Sequence, residues 1–273
     1  MAPPPTPPRE ARIALLIDAD NSPATRIELI LAELAKFGVA NVRRAYGNWK
    51  KSELKGWEKV LHEFAIRPIQ QFDVSKGKNA TDMLIAIDAL DLLYTDRPDA
   101  FGIVSSDADF TPLVMHLRAK GAAVYGFGAK KTPEPFVNAC SRFLYLEGLG
   151  AGSSDADAEA DAASAGAGSD PAGAARAGKS RAAAARKTAA TELRRDARLV
   201  SLLRNAIDNA AGEDGWSQLG AVGSQIANQA SFDPRNHGFR KLADLIEAIG
   251  LFDVEKRGSH LYVRERRKTS AAA

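Results

Sequence analysis

The residues of this chain best suited to chemistry are aspartates that follow apolar runs. "IALLIDADN" places Asp18 and Asp20 behind five apolar residues, with Asn21 next, and "AFGIVSSDADF" places Asp107 and Asp109 behind Ser105 and Ser106. A third segment, "TDMLIAIDALDLLY", opens with Asp82 and carries Asp88 nearly two turns further on. Carboxylates gathered in one cleft repel one another, an arrangement that is costly unless a cation neutralises it. Mg2+ and Mn2+ suit such a place, because they take oxygen ligands, retain waters and are commonly held by one or two carboxylates together with substrate phosphates. A site of this kind polarises a phosphoryl oxygen and lowers the pKa of a bound water for in-line attack.

Taken singly, each acid has a plainer explanation. Asp109 or Thr111 can cap a helix that begins at Pro112, and Thr81 can cap the helix containing Asp82. Taken together, three separate segments opening or ending in acid argue for one rim on which Asp18, Asp82, Asp107 and Asp109 meet. Asp88, deeper in its helix, is the weaker candidate.

Such a rim needs strands that run parallel and side by side. The pattern supplies them: "RIALLID", "VANVRRAYGNW", "IRPIQQF", "AFGIVSS", "AAVYGFG" and "RFLYLEG" read as strands, separated by helical patterns such as "ATRIELILAELAKFG" and "FTPLVMHLRAKG". Continuous apolar strands alternating with helices predict an α/β domain with a mostly parallel sheet flanked by helices. Ligands of that architecture bind at the carboxyl ends of strands where the strand order reverses.

Beside the acids lie "NWKKSELKGW" and "SKGKN", which offer Lys50, Lys51, Lys55, Lys76 and Lys78 for phosphate, with Trp49 and Trp57 interleaved. The helical phase of Trp57 with Leu54, Val60 and Leu61 predicts burial instead. "GFGAKKTPEPF" lacks the spacing of a phosphate-binding loop and reads as a strand-to-helix connection.

The 273 residues carry a net charge of only +3, so any polyanion-binding surface must be local. One cysteine, Cys140, excludes an internal disulfide, and four scattered histidines form no zinc pattern. No stretch reaches the roughly 18 apolar residues of a membrane span, and the proline-rich start lacks an apolar signal core. A cytoplasmic protein without a membrane partner is expected.

Composition changes near Gly150, where Ala, Gly, Ser and charge replace large apolar residues. The predicted organisation is a disordered arm (1–11), an α/β domain (12–149), a flexible linker (150–190) that is acidic and then basic, a second domain (191–266) and a tail (267–273). In the second domain, "ELRRDARLVSLLRNAIDNA", "GWSQLGAVGSQIANQA" and "NHGFRKLADLIEAIG" predict three helices. "LFDVEKRGSHLYVRERR" predicts a hairpin, together a small winged-helix-like α+β module. Arg235, His237, Arg240 and Lys241 are candidates for one basic face, and Lys256, Arg257, His260 and Arg264 for the wing. Acids and bases are nearly balanced there, so protein partners through this domain stand beside RNA.

"IALLIDADNSP" followed by "GKNATDMLIAIDALDLLYTDRPDAFGIVSSDADFTPLVMHLRAKGAAVYGFG" resembles the NYN domain, a PIN-like group of metal-dependent ribonucleases. The resemblance implies that Asp18, Asp82, Asp107 and Asp109 are similar to the family's metal-binding, catalytic acids. It gives Asn21 as their polar companion, with Ser105 or Ser106 as the small polar residue before the acidic pair. "KNAT" stands where family members often have a glycine and a hydrophobic residue, which bears on the loop contacts of Lys76, Lys78 and Asn79. "GWSQLGAVGSQIANQASFDPRNHGFRKLADLIEAIGLFDVEKRGSHLYVR" is similar to the OST-HTH (LOTUS) domain, an RNA-associated winged-helix fold.

The expected function is therefore a Mg2+- or Mn2+-dependent ribonuclease, with RNA, single-stranded or structured, as its partner. Lys50, Lys51, Lys76, Lys78, Arg235, Arg240, Lys241, Lys256 and Arg257 are the expected RNA contacts. The alternative is a non-catalytic RNA-binding or regulatory adaptor in which both domains recruit. A phosphatase with Asp18 as covalent nucleophile and Asp20 as acid/base is disfavoured, because Asn21-Ser22-Pro23 follows Asp20 and no matching later lysine is recognisable.

Overall fold

A computed structural model describes residues 9–72, 80–150 and 191–266. Residues 1–8, 73–79 with Lys76 and Lys78, 151–190 and 267–273 lie outside the described residues, and with them most of the expected arm and linker and the expected tail. The chain divides into two compact units.

The first unit is a six-stranded sheet in the order β3-β2-β1-β4-β5-β6, every neighbouring pair parallel. Its strands are β1 (Arg12–Asp18), β2 (Val39–Gly47), β3 (Arg67–Gln70), β4 (Ala100–Val104), β5 (Ala123–Gly128) and β6 (Arg142–Tyr145). The crossovers carry α1 (Ile27–Leu34), α2 (Trp57–Glu63), α3 (Ala80–Thr95), α4 (Thr111–Ala119) and α5 (Glu134–Ala139). The chain steps outward from β1 to β3, then returns to lay β4 against β1, so the strand order reverses between those two. Sheets with such a reversal bind their ligands at the strands' carboxyl ends there.

Why β1 and β4 sit centrally follows from composition. Both are nearly all apolar and buried along their length, as a strand covered on both faces requires. Successive side chains alternate between faces. Ile13, Leu15 and Ile17 join α1 and Trp57 in one core, while Ala14 and Leu16 join Ile85, Ala89, Val114, Leu117 and Phe136 in the other. Trp57 is buried, as its helical phase predicts. The same alternation puts Asp18 on the face that α3 covers. The "GFG" glycines of β5 serve close packing: a Cβ on Gly128 would lie 2.6 Å from the Ser105 carbonyl oxygen.

The second unit comprises α6 (Ala197–Asn209), α7 (Leu219–Gln229), α8 (Leu242–Ile249) and the strands β7 (Ser217–Gln218), β8 (Phe252–Arg257) and β9 (His260–Glu265). The antiparallel order is β7-β9-β8. Leu203, Ile207, Val222, Ile226, Ile246, Phe252 and Val263 form its core. Two expected helices are shorter than their patterns. The Asp196 side chain accepts the Leu199 N–H and starts α6 afresh. Gly238, at φ 83°, closes a 3-10 turn over Pro234–His237, so α8 begins only at Leu242. The hairpin forms as predicted, and the two-residue β7 adds a third strand to it.

Candidate metal centre

Asp18 is 1% exposed at the end of β1. Its Oδ2 accepts hydrogen bonds from Asn21 Nδ2 at 2.9 Å and from Ser105 Oγ at 3.1 Å. Its Oδ1 is buried with no hydrogen-bond partner among the described residues. A buried carboxylate oxygen left unsatisfied is costly, and an ordered water or ion is the usual occupant of such a place. Burial pushes the Asp18 pKa above the ordinary carboxylate value, against the hydrogen bonds from the Asn21 side chain, the Ser105 hydroxyl and the Asn21 backbone that lower it.

Ser105 couples the ends of β1 and β4. Its hydroxyl donates to Asp18 and accepts the Asp107 N–H at 3.2 Å. Asp107 in turn caps the 3-10 turn Ala108–Phe110, its Oδ1 accepting the Asp109 N–H at 2.9 Å. The cap of this helical segment is therefore Asp107, and not Asp109 or Thr111; the Thr111 hydroxyl donates back to the Ala108 carbonyl. Ser106 faces the next strand, accepting the Ala129 N–H at 2.8 Å.

Asp82 lies in the first turn of α3. Its pKa is raised to about 6, first by desolvation and then by the charges of Asp18, Asp107, Asp109 and Asp20. The charges that act on Asp82 thus come from the ends of β1 and β4. Among the described residues, no three or more His, Cys, Asp or Glu side chains are grouped closely enough to hold a metal ion between them. The arrangement instead suits an ion held by one or two carboxylates and completed by water and phosphate.

Asp20 is the member that sequence reasoning left aside. It accepts from Thr81 Oγ1 at 3.2 Å and from Lys51 Nζ at 3.2 Å, tying the β1 loop to α3 and to the segment after β2. Thr81, a candidate cap, thus fastens α3 against the acids. Asp88 belongs elsewhere: it binds the Arg44 guanidinium and the Tyr46 hydroxyl, anchoring α3 to β2.

The basic candidates divide. Lys51 is held on Asp20, whereas Lys50 is exposed with its ammonium 4.9 Å from the centre of the Phe72 ring. Trp49 Nε1 donates to the Ile69 carbonyl. Arg235 grips both carboxylate oxygens of the buried Asp233, while Arg240, Lys241 and Lys256 are exposed. Arg257 is ion-paired with Asp214 and lies, like Arg264, against the Trp216 ring at 4.6 and 4.4 Å.

Residues 12–147 match the NYN domain and residues 194–263 the OST-HTH/LOTUS domain. An uncharacterized protein of Methanocaldococcus jannaschii is 30% identical over 125 residues, 44% of this chain and 49% of that protein; the chain thus spans about half the length of this curated relative. Among solved structures, a protein of unknown function from Vibrio parahaemolyticus is similar at 19% identity and a TM-score of 0.41, covering 50% of this chain and 93% of that one. An uncharacterized protein from Nitrosomonas europaea is similar at 30% identity and a TM-score of 0.24, covering 27% of this chain and 77% of that one. No described helix is long and apolar enough to cross a membrane. The chain belongs to the NYN-domain proteins, and behind that nuclease-like α/β domain it carries an OST-HTH/LOTUS domain, a type that binds RNA.

Proposed function

We propose that the chain is a metal-dependent ribonuclease of a reducing, cytoplasmic setting, whose first unit hydrolyses RNA phosphodiesters and whose second helps to bind the RNA. The reading rests above all on Asp18: a fully buried carboxylate with one oxygen unsatisfied, beside Asp82, at the point where the strand order reverses. Asp18, Asp82, Asp107 and Asp109 are the acids among which the one or two carboxylates that would hold Mg2+ or Mn2+ are found. A divalent ion bound there supplies Lewis acidity toward a phosphoryl oxygen and a water of lowered pKa.

The protein's own part is positioning. Asn21 and Ser105 hold Asp18 Oδ2, and Oδ1 is the oxygen left without a protein hydrogen bond among the described residues. The Asp20–Thr81 bond keeps Asp82 against the other acids, and Lys51 restrains Asp20. Lys50, Arg240, Lys241 and Lys256 offset phosphate charge. Cleavage of labelled single-stranded and hairpin RNA, with matched DNA, by the wild type and by Asp107→Asn tests the reading in Mg2+, Mn2+ and EDTA. Metal-dependent RNA cleavage that the variant loses supports it. RNA binding by a folded wild type without cleavage under any of these conditions would make the protein an adaptor instead.

A further inference from the structure

A groove of about 410 Å³ lies between α3 and the start of α4, lined by Asp82, Asp109 and His116 and by apolar side chains that include Met83, Ala86 and Phe110. The His116 ring nitrogen Nε2 lies 3.1 Å from the Tyr94 hydroxyl. Met83 is 63% exposed, an apolar side chain left uncovered beside charged neighbours.

We propose that this groove receives the unpaired base of the RNA nucleotide next to the scissile phosphate. The inference rests on the ribonuclease reading and adds a base subsite to it. Continuity is the first argument: Asp82 and Asp109, two of the acids proposed for the ion, also line the groove, so a phosphate held by them lies next to it. Size is the second. The volume falls in the lower part of the ~300–1,000 Å³ range of small-ligand pockets, which suits a nucleoside and not a protein helix.

Chemistry is the third argument. Most of the lining is apolar, so the uncharged base of a nucleotide is the part that can enter, and not its charged backbone. A base has an apolar face for the Phe110 and Ala86 walls, and the flexible, polarisable thioether of Met83 adapts to purine or pyrimidine. His116, oriented by Tyr94, offers a hydrogen-bonding group to the base edge.

The test combines a methyl signal with a substrate lacking one base. The chain has three methionines, so methyl-labelled methionine gives a spectrum in which Met83 is assigned by Met83→Leu. In EDTA, adenosine and the other nucleosides should shift the Met83 methyl of the full chain, and Ala86→Trp, which fills the groove, should abolish the shift. In Mn2+, an RNA made abasic beside its cleavage site should lose about 5- to 150-fold in kcat/KM, the worth of one stacked base. Ala86→Trp should cut the intact substrate to that level and leave the abasic one unchanged; Met83→Ala, at an exposed position, gives a smaller loss in the same direction and guards against misfolding of the tryptophan variant.

RNA cleavage that ignores the missing base, with Met83 silent, overturns the subsite and leaves the ribonuclease reading standing. A Met83 response to nucleosides without any cleavage keeps the subsite and removes the reaction. Self-association that Met83→Asp abolishes, with no response to nucleosides, would give the groove to a second copy of the chain and overturn the proposal.

Discussion

Asp82→Asn removes the carboxylate most disturbed by its neighbours. Its pKa of about 6 stands against an ordinary 3.8, mainly through desolvation and then through four surrounding acids. At neutral pH without metal, the folded chain keeps it ionised at a cost of about 3 kcal/mol before allowance for solvent. The side chain is partly exposed, and screening brings this to about 1 kcal/mol. The sign follows from proton linkage: the unfolded group ionises near 3.8 and the folded one near 6, so the unfolded chain binds fewer protons between them. Stability from this group is therefore present at low pH and lost as pH rises through about 6. The metal-free Asn variant lacks that loss and should melt about 2–4 °C above wild type at neutral pH, with no advantage below about pH 4. Mn2+ should reverse the order, adding about 2.7 kcal/mol to wild type at a hundredfold excess over its Kd and much less to the variant. Differential scanning calorimetry of the full chain, in EDTA and in Mn2+, reads both effects. An Asn variant no more stable than wild type in EDTA, or one that gains equally from Mn2+, would refute the reasoning.

Three further outcomes are expected. Ser105→Ala strips a hydrogen bond from Asp18 and strands the Asp107 N–H, so chemical denaturation should show a loss of about 1–3 kcal/mol, with metal-dependent cleavage falling alongside. Asp88→Asn weakens the tie to Arg44 and Tyr46, and should lower stability by about 1–3 kcal/mol while the intact acid cluster retains its metal response. Arg240, Lys241 and Lys256 replaced by Ala should weaken RNA binding and flatten its salt dependence by about 0.7 per lost phosphate contact on a log-log plot. Arg235→Ala should instead cost stability, because it removes the guanidinium from which both oxygens of the buried Asp233 accept.

The acids themselves were legible because strand and helix ends show locally: an apolar run that stops on aspartate marks a strand's carboxyl end, and parallel strands bring such ends to one edge. The face on which Asp18 lies also follows from period-two alternation. What was not legible depends on contacts between distant segments. Asp20 meets Thr81 across 61 positions and Lys51 across 31, and no local pattern announces either bond. Asp88 shows the reverse case, an acid whose helical position looked suggestive and whose partners on β2 make it an anchor. In the second unit, helical periodicity ran on through Asp196 and Gly238 because it registers apolar spacing and not the side-chain cap or the left-handed glycine that ends a helix.

The central claim is that the carboxylates act on RNA through a divalent ion in contact with the scissile phosphate. An RNA with sulfur in place of a non-bridging oxygen at that phosphate tests it most directly, with wild type and Asp18→Asn compared in Mg2+ and Mn2+. Cleavage slowed by sulfur in Mg2+ and restored by the more thiophilic Mn2+, in wild type but not in the variant, is the predicted result. Equal cleavage of both substrates in Mg2+ and in EDTA, or cleavage that survives Asp18→Asn, would contradict the account.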